Sequence, residues 1–154
     1  MRSRSAILAV TALGIGLGAA VAPIATAGEA SAKPATTCEM AYLNPNVAPL
    51  PLQATTVLTG TANGDKTMTI TVKTDAVSLL GYQQHVSLTW KNIDNGRHRS
   101  QSWTRRVVGP NTTVRFPRIK TGVGLVDIHA SVANTNSLTG QTTRDHCDAK
   151  QKAY

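Results

Sequence analysis

The stretches KTMTITVKT (66–74) and HVSLTWKN (85–92) alternate residue by residue. Met68, Ile70 and Val72 oppose Thr67, Thr69, Thr71 and Lys73, while Val86, Leu88 and Trp90 oppose His85, Ser87, Thr89 and Lys91. Side chains of a strand point alternately to its two faces, so a period of two with one apolar set predicts a half-buried β-strand. Two such segments predict strands covering one core. A third, GVGLVDIHASVAN (122–134), sets Val126, Ile128, Ala130 and Val132 against Leu125, Asp127, His129 and Ser131, with the even-numbered set expected to be buried.

Outward from these, shorter runs separated by Gly, Asn, Asp and Pro recur every ten to fifteen residues. Cys38–Leu43 reads as a first strand after a frayed tail, and Ala54–Thr59 as a second, ended by the turn-rich GTANGD. Asp94-Asn95-Gly96 predicts a tight hairpin turn, because Asn and Gly tolerate positive φ; the strand beyond it is expected through Gln101–Val108. Thr112–Phe116 follows, with Pro117 ending it or marking an edge. Leu138–Cys147 reads as the last strand and AKQKAY as a disordered charged tail. Seven or eight strands at this spacing predict an all-β fold of two stacked antiparallel sheets.

The first 32 residues read differently. Arg2 and Arg4, an apolar run from Ala6 to Ala22 and the small-residue site Ala30-Ser31-Ala32 have the form of a secretory signal peptide, cleaved after about Ala32. Glycines and Pro23 dilute the apolar run as a membrane span. The expected organisation is a signal peptide over 1–32 and a single β-sandwich domain over 33–154, secreted to the extracellular side. Cys38 and Cys147, a lone pair in an oxidising compartment, predict a disulfide that staples the two ends of the mature chain together.

In strand rhythm, in the tryptophan at position 90 and in the alternation Val126–Val132, the chain resembles the immunoglobulin-like and fibronectin type III sandwiches. It departs from true immunoglobulin domains in its terminal cysteines and in lacking a tyrosine corner. The leader and the Thr, Ala and Val bias are similar to small exported proteins of actinobacteria. The resemblance implies a sandwich and does not choose a function, since sandwiches host adhesion, inhibition and catalysis alike.

Charge carries the functional signal. Sixteen Lys/Arg stand against eight Asp/Glu, a net +8; without Arg2, Arg4 and Glu29 the remainder keeps +7. Arg97, His98 and Arg99 leave the turn, Trp103 precedes Arg105 and Arg106, and Arg115, Arg118 and Lys120 follow. Guanidinium forks suit phosphate, sulfate or carboxylate, and Trp103 suits stacking. The binding residues expected are therefore Arg97, Arg99, Trp103, Arg105, Arg115 and Arg118. The partner expected is an anionic cell-surface polymer or a protein, with nucleic acid disfavoured by the lack of any recognition motif. The plainer alternative is a charge-protected hairpin at a sheet edge.

Two other readings compete with a non-enzymatic binding module: a secreted cationic antimicrobial effector or enzyme inhibitor, and a small hydrolase using Asp127 and His129, which share one strand face. The motif G-x-S-x-G is missing, and an outward Asp/His pair is usually a solvated surface pair. Neither a catalytic site, a cofactor nor a metal is expected: mature carboxylates are few and the four histidines lack zinc-ligand spacing, leaving His146 with Asp145 or Asp148 as the one local grouping of ligand type. Asn111-Thr112-Thr113 fits a glycosylation acceptor, and its turn position explains it as well.

Overall fold

Alternation becomes strand throughout the computed structural model, which describes residues 35–46, 52–78 and 80–154. The leader and its cleavage site lie outside these residues, as do Pro49 and Pro51. Eight strands follow in chain order: β1 (Ala35–Leu43), β2 (Gln53–Ala62), β3 (Met68–Asp75), β4 (Tyr82–Asn92), β5 (His98–Val107), β6 (Thr112–Ile119), β7 (Gly124–Thr135) and β8 (Thr142–Ala153). They form two four-stranded antiparallel sheets, β1-β2-β3-β6 and β5-β4-β7-β8, stacked as a β-sandwich.

The core is where the alternation places it. Met68, Ile70 and Val72 of one sheet and Val86, Leu88, Trp90, Val126, Ile128, Ala130 and Val132 of the other are buried in one cluster. Gly96 takes positive φ (73°) in the hairpin turn joining β4 to β5, and Asn92 Oδ1 accepts the Asp94 and Asn95 amides at 3.0 and 3.2 Å.

Several boundaries differ from the sequence reading: β5, expected over Gln101–Val108, starts at His98 because its pairing with β4 continues to Lys91↔His98, and β6, expected to Phe116, runs to Ile119. The first strand begins at Ala35, not Cys38, because its pairing with β2 continues from Cys38↔Leu58 to Ala35↔Thr61. That pairing and the β2–β3 pairing, which ends at Ala62↔Met68, carry β2 through Gly60-Thr61-Ala62, expected to be a turn. Gly60 faces the core, where a Cβ would stand 3.1 Å from Ile128 Cδ1, so the glycine permits close packing of the sheets. Leu138 lies in the β7–β8 turn and is 79% exposed, because Asn136 Oδ1 caps that turn by accepting the Leu138 and Thr139 amides. The tail expected to be disordered is strand: Ala149, Gln151 and Ala153 fill the inner face while Lys150 and Lys152 point to solvent. Its charge is confined to alternate positions, which suits a strand at a sheet edge.

Pro117 does lie on an edge strand. The β3–β6 register passes from Ile70↔Phe116 to Met68↔Ile119, so Pro117-Arg118 contains one extra residue, a bulge with Arg118 at φ 49°.

The disulfide Cys38–Cys147 joins β1 to β8, edge strands of opposite sheets, with Cα atoms 5.9 Å apart. Towards the loop end of the core, a buried polar network crosses both sheets. Gln84 Nε2 donates to Tyr42 Oη and Asn134 Oδ1, both at 3.0 Å, and Thr74 Oγ1 donates to Gln84 Oε1 at 2.9 Å. Tyr42 Oη also meets Thr56 Oγ1 and Tyr82 Oη, at 2.9 and 3.2 Å. Each pairing avoids the cost of about 1–3 kcal/mol carried by an unsatisfied buried group. Burial, then the hydrogen bond to Tyr42, raises the Tyr82 phenol well above its ordinary pKa.

Candidate binding cleft

Residues directly opposite each other in an antiparallel pair share a face. The core-facing Gln84, Val86, Leu88 and Trp90 of β4 are paired with Arg105, Trp103, Gln101 and Arg99 of β5. The inward side of β5 is therefore polar and cationic, and nothing on it is buried before Val107. Trp103 is 48% exposed in a position where the neighbouring strands bury Val86 and Val132. Polar residues at core positions of a sandwich strand break the packing pattern unless they line something.

What they line is a cleft of about 1220 Å³ between β5 and β6. Arg97, Arg99, Gln101 and Trp103 form one wall; Arg115, Arg118 and Lys120 come from β6 and the residue after it. The buried rings of Trp90 and Phe116, with Ile119, provide its floor. Four arginines and one lysine line the cleft, with no carboxylate among the lining residues. The bulge at Pro117-Arg118 gives the inward position after Phe116 to Ile119 and leaves Arg118 exposed among the lining residues.

Two of the lining residues, Trp90 and Arg118, carry further polar detail. The Trp90 indole N–H is buried without an acceptor, and a buried donor of this kind is rare in native structures. Arg118 Nη2 contacts Asp65 Oδ2 at 2.6 Å in an exposed ion pair. The Thr67 hydroxyl holds the Asp65 carboxyl below its ordinary pKa against the opposing effect of desolvation, and the Arg118 charge adds to the lowering. Exposed pairs of this kind hold weakly, so Arg118 can exchange Asp65 for an incoming anion at little cost.

The structure thus gathers Arg97, Arg99, Trp103, Arg115 and Arg118 around one cleft. Arg105 is placed differently: its Nη1 donates to the Thr113 carbonyl at 2.8 Å, tying β5 to β6. Arg106, on the opposite face, donates to the Leu80 carbonyl at 2.8 Å. Sequence reading missed Gln101 and the floor of Trp90 and Phe116. The signal for Gln101 was the i, i+2 row Arg99-Gln101-Trp103 in a strand that should have shown an apolar face.

Asp127 and His129 are not paired. His129 Nδ1 lies 2.7 Å from Asp148 Oδ1 on β8, whereas Asp127 stands between Lys91 and Lys150 in the sheet register. Cross-strand neighbours lie closer than residues two apart on one strand, and only the pairing register could reveal them. Among the described residues no three His, Cys, Asp or Glu side chains are grouped to hold a metal ion, and no helix is long and apolar enough to cross a membrane.

No protein-family model matches this chain, and no curated protein matches it in sequence.

Proposed function

We propose that the protein is a secreted, non-enzymatic binding module that takes an anionic polymer of the cell surface or its surroundings into the β5–β6 cleft. One observation carries the reading: the core-facing side of β5 presents Arg99, Gln101 and Trp103 to a cleft whose lining holds five Lys/Arg side chains and no carboxylate. Such a field concentrates anions, and guanidinium forks fix their oxygens. Trp103 offers a ring face for stacking. Secretion is supported by the disulfide and by the form of the first 32 residues. The kinship with immunoglobulin-like sandwiches of small exported proteins belongs to the same proposal.

The test is binding of the oxidised protein to immobilised acidic glycans, wall polymers, anionic lipids and nucleic acids at two salt concentrations. One class should bind, more weakly at high salt. Replacing Arg97 and Arg99 together by Ala should weaken that binding at least about tenfold, through lost charge-assisted hydrogen bonds, with the thermal midpoint nearly unchanged, as for most surface substitutions. Undiminished binding by the double variant, or no binding to any class, would overturn the proposal.

A further inference from the structure

A second constellation stands on the solvent face of the β5-β4-β7-β8 sheet and owes nothing to the cleft. The β7–β8 register sets His129 opposite Asp148 and Ser131 opposite His146. His129 and His146 are thereby diagonal neighbours, with ring centroids 5.7 Å apart and planes tilted by 42°. A carboxylate only accepts hydrogen bonds, so the 2.7 Å contact with Asp148 places the proton of a neutral His129 ring on Nδ1 and leaves the lone pair on Nε2. A carboxylate bonded to the far nitrogen is the arrangement that orients a metal-binding imidazole and raises its basicity.

We propose that His129 and His146 form a two-imidazole site for a first-row divalent cation, Cu²⁺ ahead of Ni²⁺ and Zn²⁺. Metal–nitrogen bonds of about 2.0–2.1 Å, at angles from square-planar to tetrahedral, place the two ring centroids roughly 4.5–5.2 Å apart. The observed 5.7 Å exceeds that range by about 0.5 Å, and both side chains are exposed and free of core packing. No third ligand converges among the described residues, so water completes the coordination. Ser87 and Ser131 border the same depression and can hydrogen-bond that water.

The charges around the site are mixed. Asp145 is not a free ligand, because its carboxylate accepts the Ala41 amide at 2.9 Å and the His146 amide at 2.8 Å, but it keeps a negative charge beside His146. Arg144 at the rim opposes it. Imidazole donors favour copper, nickel and zinc over the alkaline-earth cations.

The experiment is titration of the oxidised, full-length secreted protein with CuSO₄, following the ring signals of all four histidines by NMR and the affinity by calorimetry. His129 and His146 should broaden first, at substoichiometric metal, His85, which lines the same depression, should follow, and His98, outside it, should persist. H129A or H146A should bind at least tenfold more weakly and H98A like the parent. D148N, which keeps both imidazoles, should weaken binding by about 10–100-fold, as loss of an outer-shell partner does. Broadening of His85 or His98 as early as that of His129 and His146, or H146A and D148N binding like the parent, would overturn the proposal.

Discussion

The two long edges of the sandwich are built in opposite ways. At the β1/β8 edge the sheets converge: the strands run alongside each other, Cys38 is bonded to Cys147, Asp145 on β8 accepts the Ala41 amide of β1, and small residues such as Ala149 close the interior. At the β5/β6 edge no comparable approach joins the strands. Their positions are held by the short connection around Gly109-Pro110 and by the Arg105–Thr113 tie, and the space between them is lined by arginine and tryptophan. One edge holds the fold; the other is free to be a site. A sandwich can leave one side unpacked only if the opposite side and the middle are secured, and here a disulfide and the Gln84 network do that.

The sharpest way to break this contrast is at the closed edge. The bridge spans 109 residues of sequence, for which the chain-entropy model gives a stabilisation of about 4–5 kcal/mol. Replacing Cys38 and Cys147 together by Ser should lower the free energy of unfolding in denaturant by that order while the far-ultraviolet spectrum stays β-type. Coincident denaturation curves for the parent and the variant would show that the edge is held by packing alone.

The middle comes next. Tyr82 has a folded pKa raised by burial, so it favours the folded state fully below the phenol's ordinary pKa near 10, and that contribution is lost as pH rises further and the unfolded chain ionises. One such group costs up to about 1.4 kcal/mol per pH unit above that point. Thermal midpoints should fall from pH 10 upward in the parent and fall less steeply in Tyr82→Phe; parallel slopes would remove Tyr82 from the account.

The smallest effect belongs to the open edge. Arg105→Ala removes the tie to Thr113 and should cost about 1 kcal/mol or less, as expected for a single exposed hydrogen bond. The change should be readable as faster amide exchange of β6 with β1 and β8 unaffected. A loss as large as that from removing the disulfide would mean that the two edges are equally structural.

Much of the fold was legible because alternation is a local property. Met68 to Val72 and Val86 to Trp90 reveal their buried face without knowledge of any neighbour. Gly60 and the tail from Ala149 to Ala153 were not legible. Glycine looks like a turn until Ile128 of the opposite sheet is seen above it, and a lysine-rich tail looks unstructured until β7 is seen to pair with it. In the site, cationic residues along the chain could be identified one by one. Whether they met, and which of them were occupied elsewhere, depended on register: Arg105 is turned to Thr113, Arg118 is shared with Asp65, and His129 belongs with Asp148 and not with Asp127.

By itself the sequence determined an all-β chain, the faces of its central strands, a bridging pair of cysteines and an excess of positive charge, because period, composition and cysteine count are carried by the residues in order. Only the tertiary structure decided that the charge gathers in a cleft. That outcome follows from which strands lie at the edges and how far the sheets part there, and these are set by hydrogen-bond pairing between residues distant in the chain, which no local pattern encodes.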